Sequence, residues 1–249
     1  MEKALIIIPT YNENENIVNL MPAIFNEVVN NEFNLEYHIL IVDDNSKDGT
    51  QETVEAYGKK FPVFILKRKE KLGLGTAYIE GFKWALKSDY QYIYEMDADW
   101  SHDPKYLLLF IRNMRQNNSF CVIGSRFYEW RVSVVNWELK RLILSLLGHR
   151  YVRVVLGNMN IYDTTSGFKC FRREAIESMN LDNIKSNGYI FQLELNYRLF
   201  KKKLKITEIP IIFKDRFFGK SKMSASIIHE GLWLPLKLKV FSILQGKKF

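Results

Sequence analysis

Short apolar runs alternate with longer amphipathic ones through the first half of the chain. "ALIII" at 4–8, "YHILIVDD" at 37–44, "VFILK" at 63–67, "YQYIYEM" at 90–96 and "FCVIGS" at 120–125 are compact, rich in β-branched and aromatic residues, and bounded by polar turns. That pattern predicts strands. Between them, residues 15–30 place Ile17, Leu20, Met21, Ile24, Phe25 and Val28 at helical spacing. "DGTQETVEAYGKK" and residues 76–86 predict two further helices, and Pro104 opens a fourth that runs to about residue 115. A βαβα order of this kind predicts an α/β fold with a mostly parallel sheet covered by helices on both faces. Ligands of such sheets bind at the carboxyl ends of the strands.

The second half reads differently. Residues 137–156 predict a helix with Leu139, Leu142, Ile143, Leu146 and Leu147 in one apolar stripe, and with Lys140, Arg141, Ser145, His149, Arg150 and Arg153 off it. Such a helix either packs on the core or lies on a membrane. "TTSGFKCFRR" reads as a loop and short strand, 188–201 as a helix and "LKITEIPIIF" as one strand. The apolar segment 224–244 carries recurring lysines and is interrupted by Gly231 and Pro235, which predicts an amphipathic stretch lying on a surface rather than a span. The organisation expected is a catalytic-size domain over 1–223, including a basic loop at 214–223, followed by the segment 224–249.

Composition narrows the partners. Across 249 residues the formal net charge is +8, which favours anionic ligands such as nucleotides, phosphates or an acidic membrane surface. Cys121 and Cys170 each sit alone in an apolar run, the pattern of buried thiols in a reducing compartment rather than of a disulfide framework or zinc site. The N-terminus starts with a strand pattern, so no signal peptide is expected, and no apolar run is long enough for a membrane span.

Candidate chemistry gathers at the strand ends: "PTYNENE", "DDNSKDGT", "DADWSHDP" and "GSR". Asp97 and Asp99 form a D-x-D pair directly after a buried strand, and two carboxylates there can reach one hard cation, Mg²⁺ or Mn²⁺, that also takes substrate phosphates. Asp43 after "ILIV" can accept hydrogen bonds from a ribose or base, whereas Asp48 ahead of Gly49-Thr50 reads as a helix cap. His102 can act as base or ligand, or brace its loop. Arg216, Lys220 and Lys222 around Gly219 make either a loop that closes on phosphates or a solvated basic turn. A phospho-receiver domain shares the paired aspartates but needs about half this length. A catalytically dead adaptor on the same fold is a second rival. The acidic sheet edge argues against nucleic acid as partner.

"IIIPTYNENENI", "IVDDNSKDGT", "MDADWSHDP", "GSRF", "TSGFKCFRRE" and "FKDRFFGKSKM" occur in the order seen in glycosyltransferase family 2, and the chain resembles its dolichyl- and polyprenyl-phosphate mannosyltransferases over nearly its whole length. The resemblance implies a GT-A (Rossmann-like) fold and a metal-dependent, inverting transfer of mannose from GDP-mannose to a polyprenyl or dolichyl phosphate. UDP-glucose is the nearest alternative donor. It implies a nucleotide pocket at Pro9, Tyr11, Glu13, Ile41 and Asp43, and a metal and diphosphate site at Asp97, Ala98 and Asp99. Further donor contacts fall on Arg126, Arg216 and Lys222, and an acceptor-phosphate site on Arg141 and Ser145. Arg141 and Ser145 stand four residues apart, on one helical face. It also implies peripheral attachment at the cytoplasmic face of a membrane, through the chain's own amphipathic surface or a small anchoring subunit. Some relatives carry Gln where this chain has Ser101.

Overall fold

The computed structural model describes residues 1–184, 186, 188–214 and 225–246. Its strands are β1 (Glu2–Thr10), β2 (Leu35–Asp43), β3 (Val63–Lys67), β4 (Tyr90–Glu95), β5 (Cys121–Ser125), β6 (Val134–Val135), β7 (Lys169–Arg172), β8 (Ile206–Pro210) and β9 (Phe213–Lys214). Seven form one sheet in the order β3-β2-β1-β4-β7-β5-β8, and β6 pairs with β9 in a separate ribbon. Only β7 runs antiparallel in the large sheet, wedged between β4 and β5. The helices are α1 (Asn14–Val28), α2 (Thr50–Gly58), α3 (Leu74–Leu86), α4 (Leu107–Asn117), α5 (Leu139–Leu156), α6 (Arg173–Ser178), α7 (Gly188–Lys201) and α8 (Ala225–Gln245).

The sheet is buried on both faces, and the middle of its central strands is apolar without interruption at residues 4–8 of β1 and 39–42 of β2. Ala4, Ile6 and Ile8 of β1 face a core with Ile17, Leu20 and Ile24 of α1 and Phe110 of α4. Leu5 and Ile7 point the opposite way, onto Ala77, Tyr78 and Phe82 of α3 and Phe191 of α7. This is the strict alternation of a strand covered twice. It explains why "ALIII" shows no polar alternation. Cys121 and Cys170 are both buried and unpaired by any disulfide.

Several expectations need adjustment. The run "LKITEIPIIF" is two strands, since Pro210 ends β8 and the chain turns to pair β9 with β6. Pro104 opens a 3₁₀ turn (Pro104–Tyr106) capped by the Asp103 carboxylate, and α4 follows it. The C-terminal segment is not broken at Gly231 and Pro235: α8 runs through both. Its inner face is docked, with Leu238 and Ser242 buried, Tyr197 Oη 2.9 Å from Ser242 Oγ and Tyr151 Oη donating to Leu232 O at 2.7 Å. No described helix is long and apolar enough to cross a membrane.

α5 turns the side opposite its leucine stripe to the sheet. Its buried residues are His149, Val152 and Leu156. Leu139, Ile143 and Leu147, from the apolar stripe, are exposed at 70, 49 and 57%. The stripe therefore points away from the sheet. Trp233, Val240 and Ile243 of the neighbouring α8 are exposed as well.

A tight helix–sheet approach yields a stability test. A Cβ on Gly81 of α3 would sit 2.6 Å from Cγ2 of Ile7, a stiff β-branched side chain with no exposed surface. Overpacking of this kind costs roughly 1–3 kcal/mol and exceeds the helix-propensity gain of alanine. Gly81→Ala is expected to lower the urea midpoint without changing the slope of the transition.

Candidate active site

The loops after β1, β2 and β4 meet at the carboxyl edge of the sheet and enclose a cleft of about 650 Å³ lined by Pro9, Glu13, Asp48, Asp97, Ala98 and Asp99, among others. Two of these loops are joined side chain to backbone. Asn12 N donates to Ser46 Oγ at 2.8 Å, Lys47 N to Asn12 Oδ1 at 2.9 Å and Asn14 N to Asp48 Oδ2 at 3.0 Å. Asp48 also accepts from Thr50 N, so one carboxylate caps the first turns of α1 and α2 together, while Gly49, at φ 92°, occupies the cap position itself. Asp43 is fully buried and accepts four hydrogen bonds, from Thr10 Oγ1, Ser46 N, Ser46 Oγ and Gln51 Nε2. It fixes the loop that forms the cleft wall. Ile41, two residues earlier, is fully buried in the α1-side core. Tyr11 is exposed, with the Lys71 ammonium 3.8 Å from its ring centre.

The D-x-D turn is held from behind. Asp97 N donates to His102 Nδ1 at 2.9 Å, which puts the neutral imidazole proton on Nε2, facing Asp97 Oδ2 at 3.9 Å. Burial lowers the His102 pKa against the pull of Asp97 and Asp99, and its ring stacks on Phe168 at 4.7 Å. His102 thus braces the loop. Tyr78 Oη donates to Asp97 Oδ1 at 3.1 Å, and burial together with the Asp97 charge pushes that hydroxyl well up, keeping it a donor. Asp99 Oδ1 accepts from Ser101 N at 3.1 Å. Among the described residues no three His, Cys, Asp or Glu side chains converge as a metal cage. Two carboxylates on an open cleft fit a hard divalent ion that completes its shell with water and substrate phosphate oxygens.

Arg126, at the end of β5, is fixed by a side chain that sequence reasoning passed over. Its Nε and Nη2 form a bidentate pair with Asp163, each at 2.7 Å, its backbone N donates to the same carboxylate, and Nη2 reaches Thr165 Oγ1 at 3.0 Å. Burial works against the Asp163 charge, yet the Arg126 guanidinium holds its carboxyl well below the usual carboxylate range. His149 of α5 lies 3.8 Å from Asp163, and its Nδ1 accepts from Thr164 N, so Nε2 is turned to Ser145 Oγ at 3.3 Å. Burial lowers the His149 pKa to about 4, and the ring is neutral at physiological pH. Arg141 packs 3.9 Å over Trp137, whose ring is also 5.8 Å from Arg126. The two acceptor-side residues expected from the sequence, Arg141 and Ser145, are therefore connected to Arg126 through Trp137, His149 and Asp163.

Arg216 and Lys222 lie outside the described residues. Two further buried groups carried no recognisable signal. Arg68 pairs with Asp44 at 2.6 Å, inside what reads as a basic loop. Lys169 of β7 is fully buried, bonded to Gln192 of α7 and 3.9 Å from Glu95; burial pushes Glu95 up to about 8 and Lys169 down. "GFKCF" gives no hint that its lysine points inward.

A sheet with one reversed strand, an acidic cleft at its carboxyl edge and a D-x-D turn after β4 define a GT-A-type glycosyltransferase fold. Solved structures agree: glucosyl-3-phosphoglycerate synthase of Mycobacterium tuberculosis with phosphoglyceric acid superposes with a TM-score of 0.69, covering 96% of this chain and 80% of that one at 14% identity. The same enzyme with Mn²⁺, UDP-glucose and phosphoglyceric acid gives 0.68 at 16% identity, with the same coverage. The family model for glycosyl transferase family 2 matches residues 5–179, and the chain belongs to that family. It is 38% identical over 234 residues to polyprenol monophosphomannose synthase of Mycolicibacterium smegmatis, covering 93% of this chain and 85% of the relative. It is likewise 38% identical over 231 residues to undecaprenyl-phosphate mannosyltransferase of Micrococcus luteus, covering 92 and 91%.

Removing the Asp163 charge leaves the Arg126 guanidinium buried without its counter-charge. Breaking a pair of this kind costs about 3–5 kcal/mol, whereas replacing both partners by apolar groups restores much of it. Asp163→Asn is expected to lower the urea midpoint steeply, and Asp163→Leu combined with Arg126→Met to recover most of the loss.

Proposed function

We propose that this chain transfers mannose from GDP-mannose to a polyprenyl phosphate with inversion at the sugar carbon, forming a polyprenyl-phosphate mannose. The observation that carries this reading is the likeness, over more than nine-tenths of the chain, to two enzymes named for mannosyl transfer to polyprenyl phosphates. The geometry supports it. The cleft between the β1, β2 and β4 loops takes the nucleoside diphosphate, with Pro9, Tyr11 and Glu13 framing the nucleoside and Asp43 holding the cleft wall from behind. Asp97 and Asp99 would hold a divalent ion, which when bound offsets the charge of the departing diphosphate as a Lewis acid.

The acceptor is itself the nucleophile. One phosphate oxygen forms the new bond to the anomeric carbon while the bond to the nucleoside diphosphate breaks and its electron pair leaves with that group. The phosphate is ionised at neutral pH, so no side chain has to remove a proton. Arg141 binds this anion. Ser145, its Oγ already accepting from neutral His149, directs its own hydroxyl proton outward as a second donor. The outward apolar rows of α5 and α8 receive the prenyl chain and seat the protein peripherally on a membrane. Arg126, Arg216 and Lys222 complete the cationic surround of the donor, and a small anchoring subunit would add to the apolar contact.

The direct test is incubation with a panel of nucleotide sugars, polyprenyl phosphate and Mn²⁺, followed by mass spectrometry of the lipid product. A hexosyl product from UDP-glucose alone would replace mannose by the alternative donor, and no glycolipid from any donor would overturn the reading. Asp99→Asn is expected to abolish the Mn²⁺-dependent part of GDP affinity in calorimetry with the melting temperature unchanged. Arg141→Ala removes a charge-assisted contact worth about 1.5–3 kcal/mol, so the acceptor kcat/KM should fall roughly ten- to a hundred-fold while GDP affinity holds.

A further inference from the structure

Leu139, Ile143, Leu147, Arg150 and Val154 follow one another along α5 at steps of three and four, so they form one row on the helix. All of them are exposed. Arg150 thus interrupts an otherwise apolar outer row, between Leu147 and Val154, which are exposed at 57 and 70%. The row lies beside α8, which meets the helix where Tyr151 Oη donates to Leu232 O. Arg150 stands about two and a half turns beyond Arg141, about 13 Å further along the axis and on the opposite side of the helix. One phosphate cannot engage both.

Beside Arg150 is an open hollow of about 320 Å³ lined by Trp130, Arg150, Arg153, Val154 and Asn158. The Trp130 indole holds both cations, with the Arg150 and Arg153 guanidinium carbons 4.8 and 5.2 Å from its ring centre. Arg153 is fixed a second time, by Nε donating to Met159 O at 3.0 Å and by the Tyr162 ring at 5.1 Å. Among the described residues no carboxylate lies within ion-pair distance of either guanidinium. Glu129, next to Trp130 in the chain, is turned to Arg131 at 3.9 Å. The turn that delivers the indole is strained, since Glu129 and Trp130 both hold left-handed backbone, at φ 50° and 65°. Two like charges brought to one ring repel, and an anion shared between them removes that repulsion. Guanidinium forks take a phosphate through paired N–H donors. Indoles sit at the headgroup level of a membrane, with apolar neighbours reaching the acyl boundary. An acidic peptide would suit the arginines but leaves the flanking apolar row without a role.

We infer that the hollow between Trp130, Arg150 and Arg153 binds the headgroup phosphate of an anionic phospholipid, with Leu147 and Val154 entering the membrane on either side. This is a site of its own, apart from the acceptor phosphate assigned to Arg141 and Ser145, and it fixes which way α5 lies on the lipid surface. It rests on the reading of the outer row of α5 as the membrane face, and not on the identity of the sugar or the acceptor.

The test is cosedimentation of the full chain with vesicles of phosphatidylcholine alone and of phosphatidylcholine mixed with phosphatidylglycerol, with calorimetry of inorganic phosphate as the lipid-free arm. Wild type is expected to prefer the mixed vesicles about ten-fold or more, the worth of a charge-assisted contact. Arg150→Gln, at an exposed position, should lose most of that preference while binding to phosphatidylcholine and the melting temperature hold. Arg150→Lys is the deciding variant: it keeps the charge without the fork, and its preference should fall to within about two-fold of that of Arg150→Gln. An Arg150→Lys variant that binds like wild type reports diffuse surface charge and overturns the inference. So does equal binding of wild type to both vesicles, or binding of inorganic phosphate as tight as that of the mixed vesicles. Mannosyl transfer to polyprenyl phosphate dispersed in detergent should be the same in wild type and Arg150→Gln; a selective loss there would place Arg150 in the acceptor site and overturn the inference too. If wild type forms no glycolipid while the vesicle results hold, the proposed function falls and this inference stands.

Discussion

The bidentate Arg126–Asp163 pair is the interaction on which the geometry of this site depends. A guanidinium and a carboxylate removed from water demand each other's company, and they fix position more than they add stability. Arg126 ends β5, and Asp163 lies in the segment between α5 and β7. Their pairing therefore ties the irregular second half of the chain to the sheet. His149 and Thr164 extend the tie to α5, and Glu208 on β8 anchors the Asp163 turn by accepting from the backbone of Tyr162 and Asp163 at 2.7 and 2.9 Å. Burial raises the Glu208 pKa to about 7. Val152 and Leu156 bury the C-terminal half of α5 in the core, but its N-terminal half, with Leu139 and Ile143 facing outward, has little hydrophobic reason to stay in place. Polar contacts through Ser145, His149 and Asp163 give it one.

The reversed strand β7 explains how acidic and basic halves of the site come to share one edge. In an all-parallel sheet every loop at the carboxyl edge would begin a helix and carry the same kind of turn. Because β7 enters the sheet from that edge, the segment before it, "DTTSGF", lies at the same edge as the D-x-D turn. Gly167 lies next to Asp97 on one side, and Asp163 reaches Arg126 on the other. Phe168, starting at the same point, stacks on His102 and is tilted against Phe110 at 4.7 Å. A single short stretch thereby sets the distance between the D-x-D turn and the cations.

Much of this was legible in the sequence, for identifiable reasons. Strands buried on both faces are apolar throughout, and their polar ends stand out against them, so "ILIVDD" and "YIYEMDADW" announced the cleft. The D-x-D pair needed only local order to be read. The orientation of α5 needed more, because its stripe of leucines is as suitable for a core as for a lipid, and only the burial of His149, Val152 and Leu156 shows which side meets the sheet. Asp163, Lys169 and Gln192 were illegible for a different reason. A charged residue in a turn, a lysine in "GFKCF" and a glutamine in "FQLEL" each look like ordinary solvated positions, and what buries them is a partner distant in sequence. The continuity of α8 through Pro235 was likewise decided by tertiary contact, since docking on Tyr151 and Tyr197 offsets the backbone bond that proline removes.

Two substrates of the same charge sign pose a physical problem for one site. A nucleoside diphosphate and a lipid phosphate repel each other, and an acidic cleft repels both. The structure separates the charges along one axis. Asp97 and Asp99 line the acidic cleft, where on the proposed reading a divalent ion would reverse their sign. Arg126, Trp137 and Arg141 form a cationic and aromatic column that continues away from them. Desolvation strengthens each of these fields, and neutral His149 adds no net charge between them. Protonated, that imidazole would compete with Arg126 for Asp163 and loosen the pair that positions the column. Its burial against Phe127, with ring centres 4.8 Å apart, keeps it neutral and leaves the carboxylate to the arginine. The field that gathers two anions is thus set by an imidazole kept from ionising as much as by the arginines around it.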